Sequence, residues 1–212
     1  MGGIASFVCN PFQENTLIVH ASNGDCAIID PGCYSKVERE EIKSYVEKHK
    51  LNPIMVVNTH CHIDHVLGNY FVTDLWKIPL SMHEGELPVL KSVATYSDSM
   101  GIKYDLSPDP NSWLNEGDEV VVGDQKFDVL FTPGHSPASI CLYNKAEGYL
   151  VGGDVLFLDS IGRTDLPGGD MDTLLNSIKT KLFTLPNDTV VYPGHGPTTT
   201  IGREKKHNPF LQ

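Results

Sequence analysis

The chain has 212 residues, 40% hydrophobic and 20% charged, with a formal net charge of −11. That suits one globular domain over residues 1–212, or two tightly fused halves, and an acidic chain without Lys/Arg clusters is a poor partner for nucleic acid. No apolar run approaches the roughly 18 residues of a membrane span, no signal peptide is expected, and five scattered cysteines (Cys9, Cys26, Cys33, Cys61, Cys141) point to a reducing cytoplasm rather than a disulfide framework.

In chain order, residues 4–8, 15–20 and 25–29 read as strands, with turns at Asn10-Pro11 and at the hairpin signal Asn23-Gly24. Asp30-Pro31-Gly32 closes the third strand. Ser35 caps a helix whose Val37, Ile42, Tyr45, Val46 and His49 share a face. After Asn52-Pro53, residues 54–57 form a short β-branched run, read as a buried strand. Val66, Leu67, Tyr70 and Phe71 then recur at helical spacing. Residues 78–82 read as a strand, 83–103 as a helical excursion broken at Pro88, and 106–111 as a loop. The pattern from 119 to 155 is β: 119–122, a turn at Gly123-Asp124, then 126–131, 139–143 and 149–151. Residues 156–170 form a long glycine-containing loop of the kind that borders sites. Asp172 caps a helix with Leu174, Leu175, Ile178 and Leu182 on one face. A strand over 189–192 leads to Pro193-Gly194-His195, and a terminal helix starts near Gly202.

Four of these strands end in metal-ligand residues. The strand over 54–57 runs into Asn58-Thr59-His60-Cys61-His62-Ile63-Asp64-His65. The later ones end in Thr132-Pro133-Gly134-His135, Gly152-Gly153-Asp154 and Pro193-Gly194-His195. Glycine beside a ligand lets backbone come close. His60 and His62, two apart in extended chain, can point the same way, whereas Asp64 and His65 diverge. Imidazole and carboxylate suit zinc, iron or manganese. Seven ligands exceed one tetrahedral zinc and suit two divalent metals sharing a carboxylate. Five of the nine histidines fall in the pattern; His20, His49, His83 and His207 read as structural or surface residues. His83-Glu84 does not open a zincin motif, because Leu87 stands four residues after His83. Alternation turns Cys61 away from the metals and into packing.

Thr59-His60-Cys61-His62-Ile63-Asp64-His65 matches the T-H-x-H-x-D-H signature of the metallo-β-lactamase fold superfamily, and His135, Asp154 and His195 follow in that family's order. Within it the chain most resembles the glyoxalase II-like (hydroxyacylglutathione hydrolase) group, in the short bacterial form without a C-terminal helical domain. The supporting residues are Thr132-Pro133-Gly134-His135-Ser136, Gly152-Gly153-Asp154, Gly162-Arg163-Thr164-Asp165, Pro193-Gly194-His195-Gly196 and Asn208-Pro209-Phe210. The resemblance implies an α/β fold, an αββα four-layer sandwich of two packed sheets with outer helices. It implies one metal on His60, His62 and His135, a second on Asp64, His65 and His195, and Asp154 bridging. It further implies hydrolysis of a small-molecule thioester by a hydroxide between two metals about 3.5–4 Å apart, with zinc as the expected metal and iron or manganese as alternatives. Asp64 is the candidate catalytic residue, orienting the hydroxide or taking its proton. Arg163, Thr164 and Asp165 either border the site or belong to a plain loop. Arg203, Lys205 and Lys206 read as a solvated helix end, with contact to an acidic substrate tail as the alternative. Two rival functions stand beside the hydrolase. A persulfide dioxygenase of the same fold would hold one iron on His60, His135 and Asp154. A non-catalytic metal-binding scaffold would bind metal without turnover. A β-lactamase also shares the fold, which does not fix substrate.

Overall fold

The computed structural model describes residues 2–212. The chain divides into two compact units: Met1–Leu114 with Val121–Gln125, and Asn115–Val120 with Lys126–Gln212.

The first unit carries a six-stranded sheet: β1 (Gly3–Cys9), β2 (Glu14–His20), β3 (Asp25–Ile29), β4 (Asn52–Val57), β5 (Leu80–Met82) and β6 (Ser112–Trp113), neighbours in that order. The first three run antiparallel, and the Asn23-Gly24 turn closes with Gly24 at φ +91°. From β3 onward the pairing is parallel, which needs crossovers. The first crossover is α1 (Lys36–Lys48), where Ser35 and Glu38 form a capping box. Ile42 and Val46 of α1 meet Ile18, Ile28, Val56 and Leu80 in the core, each such side chain contributing about 1.5–3 kcal/mol on burial. Val37, expected on the same face, is exposed: it lies five residues from Ile42, roughly 140° around the helix.

The single helix expected after the motif is two helices, α2 (Ile63–Val66) and α3 (Asn69–Trp76). They part at Gly68, whose N–H donates to Pro31 O at 2.6 Å and whose Cβ would sit 2.5 Å from Cys33 Sγ. Pro88 does not break the following excursion. It stands in the first turn of α4 (Leu87–Tyr96), where proline needs no N–H partner, after a 3-10 turn over Glu84–Glu86. The two-residue β6 was too short to be read from the sequence.

The second sheet has the order β14-β13-β10-β9-β8-β7, comprising β7 (Glu119–Val122), β8 (Gln125–Phe131), β9 (Ile140–Asn144), β10 (Tyr149–Gly153), β13 (Val190–Pro193) and β14 (Thr199–Thr200). The turn joining β7 to β8 groups with the first unit. β10 and β13 are parallel; β9 flanks β10 antiparallel. The expected loop over 156–170 contains a small hairpin, β11 (Leu156–Phe157) and β12 (Ser160–Ile161). Helix α5 (Met171–Thr180) is capped by Asp170, not Asp172: the Asp170 side chain accepts from Thr173 N–H at 2.8 Å, and Asp172 lies inside the first turn. Leu174 and Ile178 of α5 pack with Leu150, Leu182, Val191 and Ile201 of α6 (Ile201–His207). All five cysteines are free and buried, and among the described residues no helix is long and apolar enough to cross a membrane.

Candidate metal centre

In each unit the ligand-type side chains follow the C-terminal ends of neighbouring parallel strands, where an open α/β sheet leaves a crevice. In the first unit the strands are β3 and β4. Asp30 follows β3 at φ +48°, a left-handed conformation that Asp tolerates. Its buried carboxylate accepts from Thr59 N–H at 2.7 Å and from Thr59 Oγ1 at 2.5 Å, and it meets His65 Nδ1 at 3.2 Å. Having given its proton to Asp30, the Thr59 hydroxyl accepts from His60 Nδ1, 3.2 Å away. Both imidazoles therefore carry their proton on Nδ1 and present the lone pair on Nε2, as metal-ligating histidines do.

The four motif residues gather tightly. The His60 ring centroid is 4.0 Å from that of His65 and 4.9 Å from that of His62. His65 Nε2 is 3.6 Å from Asp64 Oδ2, and Asp30, His60 and His65 bring ligand-type atoms within 4.8 Å of one another. His60 and His65 are fully buried; His62 and Asp64 are partly open. The loop is pinned from below. Asn10 Nδ2 donates to Asp64 O (2.9 Å) and Gly32 O (3.0 Å), Asn58 Nδ2 donates to His65 O (3.2 Å), and Cys61 N–H donates to the buried carboxylate of Glu86 (2.9 Å). As expected, Cys61 turns into packing, its thiol against Met82 Sδ at 3.5 Å, and burial followed by the Glu86 charge pushes that thiol well up. Glu14 lies buried one layer behind, its Oε2 accepting from Thr16 Oγ1 at 2.9 Å. Burial holds its carboxyl well above the usual range.

In the second unit the strands are β10 and β13. Asp154 and His195 follow them by one and two residues, and Gly194 N–H donates to Gly153 O at 2.8 Å to hold the two ends together. His135 arrives on the loop after β8. Gly134 there has φ +129°, and its Cβ would sit 2.3 Å from Leu174 N, so only glycine lets the loop lie on α5. His135 Nδ1 faces Arg163 O at 2.8 Å; a carbonyl only accepts, so this histidine too presents Nε2. Asp154 Oδ2 is 3.5 Å from His135 Nε2 and 3.6 Å from His195 Nε2. Two donors on one tetrahedral cation with bonds of about 2.1 Å stand roughly 3.4 Å apart. The spacing and the nitrogen/carboxylate chemistry of both sets fit a divalent metal.

All seven sequence-selected residues thus fall into two sets, His60, His62, Asp64 and His65 in one unit and His135, Asp154 and His195 in the other. The sequence showed Asp30 only as the close of the third strand and gave no sign of Glu86 or the carbonyl of Arg163. Asp30 carried the same signal as the ligands, an acid at a strand end beside glycine. Arg163 borders the site through that carbonyl, while its side chain pairs with Asp165 at 2.7 Å. The Arg203 alternative of contact with a substrate tail gives way to an internal role, since its guanidinium is bound to Asp159 and Glu204; Lys205 donates to Asn187 Oδ1.

The family model of the metallo-beta-lactamase superfamily matches residues 9–195. The chain is 40% identical over 202 residues to the probable metallo-hydrolase YqgX of Bacillus subtilis, covering 95% of this chain and 93% of that protein. It is 35% identical over 206 residues to the hydroxyacylglutathione hydrolase GloC of Haemophilus influenzae, covering 94% and 93%. Among solved structures, the BLEG-1 B3 metallo-beta-lactamase superposes with a TM-score of 0.91 at 36% identity over 99% of this chain and 100% of that one. TTHA1623 in a di-iron-bound form gives 0.87 at 35% identity over 98% and 100%. The fold is therefore the α/β sandwich with two mixed sheets that the motif implied. The chain belongs to the metallo-beta-lactamase superfamily.

Proposed function

We propose that the protein hydrolyses thioesters, hydroxyacylglutathione of the S-lactoylglutathione type first among them, and that the two ligand sets serve one centre of two divalent cations. His60, His62 and His135 would hold one cation, Asp64, His65 and His195 the other, and Asp154 both. The observation that carries the reading is the ligand chemistry: three imidazoles with their Nδ1 protons committed to Thr59, Asp30 and Arg163 O, and a carboxylate oxygen 3.5–3.6 Å from two Nε2 atoms. Cations bound there would supply Lewis acidity towards a carbonyl and make water acidic enough to attack at neutral pH. The chain's own part is to hold and orient. Asp30 and Thr59 fix the tautomers of His65 and His60. Asp64 would orient the attacking water or take its proton. Cys61, packed on Met82, takes no part.

A thioester suits these residues because a thiolate leaves readily and needs little help from a general acid. The likeness to GloC along nearly the whole of both chains supports the acyl-thiol class. The likeness to BLEG-1 supports a β-lactam reading equally well by identity, so both substrates belong in one assay. A mononuclear dioxygenase set of His60, His135 and Asp154 would leave His62, Asp64, His65 and His195 outside the iron's ligand set, which favours the hydrolase. The test is turnover of S-lactoylglutathione and of a β-lactam by metal-replete protein, with metal counted per chain. A kcat/KM for the thioester above about 10⁴ M⁻¹s⁻¹, the lower end of ordinary enzymes, is expected. Turnover of the β-lactam alone would move the substrate class. No hydrolysis, with one iron per chain and persulfide consumed, would overturn the reading.

A further inference from the structure

The hairpin β11–β12 touches all three ligand-type residues of the second unit. At its start, the Phe157 ring stands edge-on to His195, with centroids 6.4 Å apart. At its end, Gly162 lies so close to the Asp154 backbone that a Cβ would sit 2.0 Å from Asp154 O and 3.0 Å from His135 Cβ. The next carbonyl, Arg163 O, is the acceptor for His135 Nδ1 at 2.8 Å. A hairpin of two-residue strands cannot hold such positions alone.

Its tip is held from the other side by the C-terminal helix. Glu204, fully buried, receives four donors: Thr199 Oγ1 (2.5 Å) and Arg203 Nη1 (2.8 Å) on one oxygen, Asp159 N–H (3.0 Å) and Asn208 Nδ2 (2.9 Å) on the other. Asn208 Nδ2 also donates to Ser160 O at 2.9 Å. Arg203 grips the Asp159 carboxylate with both Nη atoms, at 2.6 and 2.8 Å, and Asp159 sits at φ +56°, the bend of the hairpin.

We infer that Arg203, Glu204 and Asn208 are positioning residues, a brace that sets His135 and Asp154 in ligating geometry through the hairpin. The inference rests on the metal-centre reading for its purpose, though not for its geometry. The brace acts at a distance, since none of its side chains touches a ligand. Losing it lets the hairpin shift, frees His135 Nδ1 from Arg163 O, and loosens the ligand set of the second unit.

The test uses Glu204→Gln, which keeps size but offers an NH2 group where donors already converge, together with the milder, partly exposed Arg203→Met. In ¹⁵N-labelled metal-free protein, the His135 Nδ1–H resonance is expected to be hydrogen-bonded and slow to exchange in the wild type, and fast in both variants. In metal titrations well below the melting temperature, both equivalents should bind more weakly, because Asp154 would serve both cations, and the equivalent on His135 should weaken by about 10–100-fold, the usual cost of losing an outer partner. A visible cobalt(II) spectrum altered for both ions would agree. Variants that melt earlier yet keep the wild-type His135 exchange and both metal affinities would overturn the brace and leave a purely structural helix. Should Glu204→Gln fail to fold, Arg203→Met gives the same readouts. If wild-type protein bound no metal, the proposed function would fall, while the exchange measurement would still decide the brace.

Discussion

Replacing Asp30 by Asn tests whether the first ligand set is oriented from behind. Three donors converge on this carboxylate, Thr59 N–H at 2.7 Å on Oδ1, and Thr59 Oγ1 at 2.5 Å and His65 Nδ1 at 3.2 Å on Oδ2. The amide keeps one acceptor oxygen for Thr59 N–H. Its NH2 then stands at the Oδ2 position and meets two groups that were donating to it. The Thr59 hydroxyl can turn and accept, but His65 Nδ1–H has no such freedom, so its proton moves to Nε2 and occupies the ligand lone pair. A hydrogen bond to a charged group is worth about 1.5–3 kcal/mol, which is roughly 10–150-fold in affinity. That range agrees with the 10–100-fold typical of outer partners of metal-bound histidines. Competition titration against a chromophoric chelator should show this loss for one equivalent of metal. Binding of both equivalents within a factor of about two of wild type would refute the tautomer argument.

His62→Ala and Asp154→Asn should each remove metal and nearly all hydrolysis; activity retained in metal-free variant protein would sink the proposed chemistry. Gly162→Ala places a methyl 2.0 Å from Asp154 O, a backbone atom that cannot swing aside, so weaker metal binding with a lowered melting temperature is expected, and wild-type values would show that the loop yields freely. Burial pushes the thiols of Cys9 and Cys26 up to about 12 and that of Cys61 well up. A raised thiol pKa leaves little thiolate at neutral pH. A disulfide reagent should therefore react slowly with folded protein and at once after denaturation; a fast single-thiol reaction in the native state would argue for a working cysteine.

The ligands were legible because each is a local event, an apolar run ending in the His/Asp cluster of 60–65 or in a single His or Asp beside glycine. Strand existence and the Ser35 cap were legible for the same reason. What escaped depends on the third dimension. Asp30 is twenty-nine residues from Thr59 and thirty-five from His65, and its role follows from β3 pairing with β4 in parallel. The Arg163 carbonyl carries no side-chain signature at all. Gly68 splits the expected helix because Pro31 and Cys33 crowd it, which spacing within 60–76 does not reveal. Asp170 outcompetes Asp172 as a cap because its extended backbone, at φ −153°, lets its side chain turn back to Thr173.

Three different acceptors, a hydroxyl, a carboxylate and a backbone carbonyl, fix three histidines in one tautomer. Each comes from a strand end or a segment fastened to one, so the metal chemistry is built into the framework of each unit. Substrate choice then has to come from segments the framework leaves free to vary, chiefly the excursion over 83–111 and the remainder of 156–170. Near-equal likeness to a hydroxyacylglutathione hydrolase (35%) and a β-lactamase (36%) therefore does not decide between the two acyl donors. Exchanging the segment 87–111 for that of BLEG-1, with Glu86 kept on Cys61 N–H, should therefore shift the ratio of thioester to β-lactam turnover while leaving metal content unchanged. A swap that lost metal instead would show that the excursion belongs to the metal framework, with Glu86 its point of attachment through Cys61 N–H.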